Sequence, residues 1–410
     1  MTNPIDNLEH AVSADAWELN PRVAMLNHGS FGACPREVLE LQTSYRRKLE
    51  AEPVRFLVRQ LPDLWEEARA SLASLLHVDP VDLVFVRNVT EAVNAVLRSL
   101  RFGPGDEILV TDHGYNACRN VAAYVAERSG ATLAVAEVPL VVRDPEEIVD
   151  RVLAACGPRV KLALLDHVTS PTALVFPIQR LVQEFKQRGV ETLVDGAHAA
   201  GMVPLDLTAI GAAYYGGNGH KWLCGPKGVG FLHVRRDRQE GIEPAVISHG
   251  YNIRRPDQPR LHAAFDWTGT DDPSPVLCLA ASTRWLAALS EDGLPGVMRR
   301  NHALAVAGRR LLCQLLQQEP PCPEAMLGAM ATIPLPERAG EPRPAGSYEI
   351  HPLQTRLFEE FGIEVPILYW PSPPDRFLRI SAQVYNSLPQ YRRLGEVLSQ
   401  VLGKLPTDWG

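Results

Sequence analysis

The chain has 410 residues, 46% hydrophobic and 22% charged, with a net charge of -7. That length suggests two domains, or one large α/β domain with an appendage. No dense Lys/Arg tract marks a nucleic-acid surface, and no apolar run approaches the roughly 20 residues that span a bilayer, so neither nucleic acid nor membrane is expected as a partner.

The opening "MTNPIDNLEHAVSADAWELN" has no basic n-region and no apolar h-region, and does not read as a signal peptide. Seven cysteines lie scattered at 34, 118, 156, 224, 278, 313 and 322 without a CxxC pair. Neither a disulfide framework nor zinc knuckles are indicated, and no metal is expected. A cytoplasmic protein with reduced thiols is the expectation.

Strand-like and helix-like stretches alternate from about residue 60 to 235. "VDLVFV" (81–86) is followed by a helical pattern from Thr90 to Leu100, then by "DEILVTD" (106–112). Helical "NACRNVAAYVAERSG", strand-like "TLAVAEV" (132–138), helical "DPEEIVDRVLAAC" and strand-like "VKLALLDHV" (160–168) come next. Amphipathic "IQRLVQEFKQRG" (178–189) leads to "ETLVDG" (191–196) and "GVGFLHV" (228–234). Short β-rich runs separated by helices predict βαβ units and a mostly parallel sheet. The remainder reads as a smaller α+β domain. It holds long helical patterns in "SPVLCLAASTRWLAALS" and "LPGVMRRNHALAVAGRRLLCQLLQQEP", then loops and edge strands in a proline-rich stretch (319–346). Helical "LQTRLFEEFG", strand-like "RFLRISAQVY" and helical "LPQYRRLGEVLSQVL" close it.

In an open parallel sheet, ligands bind beyond the carboxyl ends of the strands, and four polar clusters fall there. Asn88 and Glu91 in "RNVTEAVN" have capping-box spacing, which gives either a plain helix cap or an anion site at a helix N-terminus. "HGYN" follows the second strand, and "DGAHAAG" follows "ETLV", with Asp195 at the strand end and His198 beyond it. A buried acid needs a cation, although an Asp–His pair in a loop is also a common structural device. The fourth cluster is "YYGGNGHKWLCGPKGVG" (214–230), with Lys221 among glycines and aromatics. It is neither a Walker A loop nor a dinucleotide fingerprint, and Lys227 reads as a solvated turn lysine.

One chemistry uses all four clusters. A Schiff-base lysine must lose its proton, which burial and neighbouring positive charge promote. An acid must keep a pyridine nitrogen protonated, a helix N-terminus must hold a phosphate, and an aromatic ring should stack on the cofactor. Lys221, Asp195, the Asn88–Thr90 turn with His220, and the His113–Tyr115 loop supply these parts.

These motifs resemble the aminotransferase class V superfamily of fold-type I pyridoxal-phosphate enzymes, and within it the isopenicillin N epimerase-like branch. The matching stretches are "LNHGSFG" (26–32), "RNVTEAVNAVL" (87–97), "TDHGYNA" (111–117), "VDGAHAAG" (194–201), "GNGHKWLCGPKGVGFL" (217–232) and "DWTGTDDPSP" (266–275), with "RFLRISAQVYN" (376–386) weaker. The resemblance implies an N-terminal segment (1–25) packed on the small domain, a large pyridoxal-phosphate domain (26–275) and a small C-terminal domain (276–410). It implies pyridoxal 5'-phosphate on Lys221, Asp195 at the pyridine nitrogen and His198 near the phenolic oxygen. Thr90, the Val89 backbone, His220 and Asn218 would meet the phosphate, together with the Asn88 turn. Thr270 would reach the phosphate of a neighbouring subunit, which implies a homodimer with shared active sites. Arg379 would grip a substrate carboxylate, with Asn27 and His28 beside it. Tyr115 is favoured over His113 as the stacking residue.

The substrate is expected to be an amino acid or a derivative of one, with epimerisation at the α-carbon as the best reading. C–S lysis, β-elimination and transamination are alternatives, and a non-catalytic regulatory protein is a remote one. Epimerisation asks for a second acid/base, for which His28 and Tyr115 are candidates, although His28 reads equally as a loop histidine that positions backbone. A desulfurase would need a nucleophilic cysteine. Cys322 in "PPCPEAM" has the wrong setting for one, and Cys224 reads as a small packed residue.

Overall fold

The computed structural model describes residues 7–336, 350–372 and 375–403. Runs of Val, Leu and Ile bounded by turn residues form the strands. In chain order these are β1 (Ala24–Met25), β2 (Leu83–Val86), β3 (Glu107–Thr111), β4 (Thr132–Ala136), β5 (Val160–Asp166) and β6 (Glu191–Gly196), then β7 (Tyr214–Asn218), β8 (Gly230–Val234), β9 (Met330–Pro334), β10 (Ile363–Glu364), β11 (Ile367–Tyr369) and β12 (Arg376–Ser381). Seven of them make one sheet in the order β2-β8-β7-β6-β5-β3-β4. Only β8 runs against its neighbours, so the expected α/β sheet is mostly parallel. The carboxyl ends of β2, β3, β5, β6 and β7 therefore share one edge.

Both faces of the sheet are covered, as a parallel sheet requires. Along β5, Leu162 and Leu164 enter the core cluster on one side, which also holds Val93 and Ala122 from the helices Val89–Ser99 and Asn116–Ser129. Ala163 and Leu165 enter the cluster on the other side, with Ile148 and Leu181 of Pro145–Ala154 and Ile178–Gln187. The two-residue side-chain period of a strand accounts for this split.

Strand β7 was not anticipated, because its sequence, YYGGN, carries two glycines that weaken a strand's intrinsic preference. Packing explains both. A Cβ on Gly216 would come within 3.2 Å of Ala92, and one on Gly217 would lie 2.1 Å from the Phe231 ring. The glycines let β7 lie flat against the helix that begins at Val89 on one side and against Phe231 on the other.

A second, three-stranded antiparallel sheet, β11-β12-β9, packs against helices Gly293–Leu316 and Leu388–Val401. The proline-rich stretch contributes β9 at an edge of this sheet, and its residues 337–346 lie outside the described part. The single helix expected over 274–290 is broken at Cys278 into Ser274–Leu277 and Leu279–Ala287. Near the N-terminus, β1 pairs in parallel with β10, and the Val12 N–H donates to the Val384 carbonyl at 2.7 Å. Residues 1–6 lie outside the described part. Among the described residues, no helix is long and apolar enough to cross a membrane.

Candidate active site

At the carboxyl end of β2, Asn88 caps the helix Val89–Ser99: its Oδ1 accepts from the Glu91 N–H at 3.0 Å. Glu91 does not close the expected box on Asn88. Its carboxylate accepts instead from the Arg87 N–H, at 2.7 Å. The Val89 backbone, expected at a phosphate, is already used, because its N–H donates to Asn218 Oδ1 at 3.0 Å. The amide NH2 of Asn218 and the N–H and hydroxyl of Thr90 stay outside these caps, on residues that line the cleft. They are the donors left to an anion at this helix N-terminus.

His220 also lines the cleft. Its Nδ1–H donates to the Val229 carbonyl at 3.0 Å, and burial lowers its pKa to about 4. The neutral ring thus offers Nε2 as an acceptor. To donate to a phosphate, as expected from the sequence, His220 must first take up a proton.

β6 ends at Asp195, which is 2% exposed. Its Oδ1 accepts from the Ala197 N–H at 2.9 Å, and its Oδ2 from the Cys118 thiol at 3.1 Å. Beside it, β5 ends at Asp166, also buried, whose Oδ1 accepts from the Tyr115 N–H at 3.4 Å. Burial pushes both carboxyl groups up, and the charge of Asp195 pushes Asp166 well above the usual carboxylate range. Two donors and the nearby Lys221 favour the anion at Asp195, so Asp166 is the partner that keeps a proton.

Lys221 follows β7 and places its Nζ 3.1 Å from His198 Nε2. Burial, then the positive charge of Arg379, lower its pKa to about 8. Its carbonyl accepts from His28 Nε2–H at 2.9 Å, while His28 Nδ1 accepts from the Tyr385 hydroxyl at 2.9 Å. Burial holds His28 down at about 3. His28 does not line the cleft. It is completely buried with both ring nitrogens engaged, and it positions the lysine's backbone. Gly32 makes this approach possible: at φ +72 it presses so closely that a Cβ would stand 2.0 Å from the His220 carbonyl.

Arg379 lies on β12, 4% exposed. Its partners are the Ser170 carbonyl and hydroxyl, the Ser30 hydroxyl at 3.0 Å and Asn27 Oδ1 at 3.3 Å, all of them neutral. Its Nε has no partner among the described residues, and burial lowers its pKa to about 10. Asn27 in turn donates to Glu364 at 3.1 Å. A buried guanidinium without a counter-ion is costly, and a carboxylate ligand would supply the missing charge.

The cleft between these groups encloses about 220 Å³. Asn88, Val89, Thr90, Tyr115, Asp195, His198, Asn218, His220 and Lys221 all line it, as do Ser30 and Ser170, which bond Arg379, while Arg379 and Asn27 themselves do not. His113 does not line it. That ring is buried between Phe176 and Trp370, donates from Nε2 to the Val138 carbonyl and accepts at Nδ1 from Thr172. Thr270 is exposed and does not line the cleft of its own chain. The sequence reading missed Asp166, Cys118 and Ser170. Asp166 carried a usable signal, since "LALLD" ends on an acid just as "ETLVD" does.

A lysine with a depressed pKa, a buried carboxylate one strand away, an anion-ready helix N-terminus and an unneutralised arginine fit pyridoxal phosphate and an amino-acid substrate. With the fold, they define a pyridoxal-phosphate enzyme of fold type I. The family model described as aminotransferase class-V matches residues 32–315, and the chain belongs to that family. It is 38% identical over 400 residues to isopenicillin N epimerase of Streptomyces clavuligerus, covering 94% of this chain and 96% of the relative. It is 32% identical over 405 residues to a probable chloroplastic L-cysteine desulfhydrase of Arabidopsis thaliana, covering 93% and 83%. Among solved structures, a C-DES mutant with glycine covalently linked to its PLP cofactor superposes with a TM-score of 0.77 at 22% identity, over 92% of this chain and 97% of that one.

Proposed function

We propose that the enzyme epimerises the α-carbon of an amino acid or amino-acid derivative, with Lys221 and Tyr115 as its two acid/base groups. Bound pyridoxal phosphate supplies the electron sink that makes the α-proton removable. Asp195, held as an anion by the Ala197 N–H and the Cys118 thiol, supports a protonated ring nitrogen. Arg379 takes the α-carboxylate in its planar fork. Lys221, with a pKa near 8, is within reach of neutral pH as a base.

The observation that carries this reading is that Tyr115 and Lys221 line the same cleft, while the buried Arg379, bonded to the cleft residues Ser30 and Ser170, has only neutral partners. A phenol and an amine on one cleft give two groups that can exchange a proton at the α-carbon. His28, the other candidate, is sealed away. The 38% identity to a relative named for epimerisation supports the same reading.

Expulsion of a β-substituent is the second reading. Asp166, a neutral carboxylic acid lining the cleft, can protonate a leaving group, and the desulfhydrase relative supports this. A desulfurase reading has no support among the described residues, because Cys322 is buried with its carbonyl on Arg309 at 2.8 Å. Cys224 is fully buried, the packed residue that the sequence suggested.

The proposal includes a homodimer. Phe31 lines the cleft yet is 73% exposed, and Thr270 is exposed and absent from the lining of its own cleft. A second copy would cover the first and receive the second. Cytoplasmic location belongs to the same proposal, resting on seven free cysteines.

The test is Cα-deuterium exchange in D2O by the holoenzyme over a panel of amino acids. Exchange with loss of optical activity supports epimerisation, and pyruvate or sulfide release moves the assignment to elimination. Tyr115→Phe should keep exchange with one enantiomer and lose interconversion. If no substrate exchanges its α-proton, the proposal fails.

A further inference from the structure

Three buried side chains form a chain of hydrogen bonds whose directions are fixed by chemistry. Trp222 is 1% exposed, and its indole nitrogen lies 3.3 Å from His198 Nδ1. His198 Nε2 lies 3.1 Å from Lys221 Nζ. An indole N–H only donates, so His198 Nδ1 must accept, and a neutral His198 must carry its proton on Nε2. That N–H then points at Lys221 Nζ, which can accept only as an uncharged amine. An ammonium there would set one donor against another.

The surroundings agree with a neutral His198. Burial, and the positive charge of Arg379, press its pKa well below the usual imidazole range. Around Lys221, Arg379 favours the free amine, while Asp195 and Cys118 oppose it. Trp222 is held in place by its own packing among Val168, Ala173, Met202 and Met330. Gly201 touches its backbone so closely that a Cβ would stand 2.6 Å from the Trp222 carbonyl. The donor is therefore fixed before any ligand arrives.

We propose that Trp222 is a positioning residue: it fixes the Nε2–H tautomer of His198 and so favours the unprotonated, nucleophilic form of Lys221 ahead of the cofactor. Without the indole N–H, the Nδ1–H tautomer becomes available. Its Nε2 lone pair then accepts from an ammonium and raises the lysine's pKa, since a bond to the charged form favours that form. The proposal rests on the reading of Lys221 as the lysine that captures pyridoxal phosphate.

Two measurements on the cofactor-free protein test it. Nitrogen-15 NMR of histidine-labelled wild-type protein, with His198 assigned by its loss in His198→Gln, should show Nε2 protonated and Nδ1 bare at neutral pH. A proton on Nδ1 overturns the proposal, and this readout needs no Trp222 variant. The second measurement is the pH midpoint of the rate at which Lys221 captures added pyridoxal phosphate. Trp222→Phe should move that midpoint upward by about one pH unit, the scale of one hydrogen bond. In a His198→Gln background, Trp222→Phe should move it no further, because the effect passes through the imidazole. An unchanged midpoint, or an equal shift in both backgrounds, overturns the proposal. If the wild-type protein captures no pyridoxal phosphate, the functional reading fails and the NMR result alone decides the tautomer.

Discussion

Asp166 and Asp195 are register partners at the carboxyl ends of β5 and β6, two buried carboxyl groups on adjacent strands. Their donors are unequal: Asp195 receives an N–H and a thiol, and Asp166 a single N–H at 3.4 Å. One proton therefore belongs to the pair, and Asp166 holds it. Because the folded-state pKa of Asp166 lies well above its unfolded value of about 3.9, this residue costs stability once the pH rises past that value. Asp166→Asn should raise the melting temperature of the cofactor-free protein near neutral pH, and the gain should shrink as the pH falls from 7 toward the acid limit of the fold. A gain that does not change with pH would mean that Asp166 is ionised in the folded protein.

Burial sets a limit on the acid side. His28, His113, His167, His198 and His233 are all buried, and burial lowers the pKa of each. For a depressed pKa, the stability is fully present above the unfolded value of about 6.5 and is lost as the pH falls below it. Each such histidine costs about 1.4 kcal/mol per pH unit, so five cost roughly 7 kcal/mol per unit, comparable to a whole domain's stability. Circular dichroism should show cooperative unfolding of the cofactor-free protein well above the carboxylate range, at about pH 5. Native signal persisting at pH 4 would contradict this.

His220 is neutral in the cofactor-free protein and presents a lone pair where a phosphate would lie. A phosphate dianion favours the imidazolium, so cofactor binding should take up a proton. Affinity for pyridoxal phosphate should fall as pH rises through the bound-state pKa of His220, by at most about tenfold per unit. His220→Gln, which can donate its amide at any pH, should flatten that dependence. Absorbance titrations of cofactor-free protein across the neutral range read both.

Gly217 faces the Phe231 ring across β7 and β8, where an added Cβ would stand 2.1 Å away. Gly217→Ala should destabilise the fold by about 1–3 kcal/mol, the usual cost of overpacking a core. Phe231→Leu alone should also destabilise, by leaving a void. Combined, the two should lose less than the sum of the singles in urea denaturation, because each relieves the other. Strict additivity would show that the contact does not limit the packing.

The sheet was legible because its strands are Val/Leu runs bounded by turn residues, and the site was legible because its parts fall at their carboxyl ends. Lys221, Asp195, His198, Thr90 and Tyr115 converge on one cleft from four separate stretches of sequence. What stayed hidden depends on pairing across the fold. β7 hid because glycines that fit under Phe231 look like turn residues in isolation. The Val89 N–H is spent on Asn218, a residue 129 positions away, and the ring nitrogens of His28 are spent on Lys221 and Tyr385. Hydrogen-bond direction between distant side chains leaves no local pattern to read. Helices Arg36–Ala51 and Leu61–Leu76 also went unassigned.

The bond between His28 and Tyr385 joins positions 357 residues apart, and it supports the very carbonyl that carries Lys221. Arg379 and the Asn27–Glu364 bond close the same circuit from nearby positions. A chain emerging from the ribosome thus completes its large sheet long before Tyr385 can support the Lys221 carbonyl through His28.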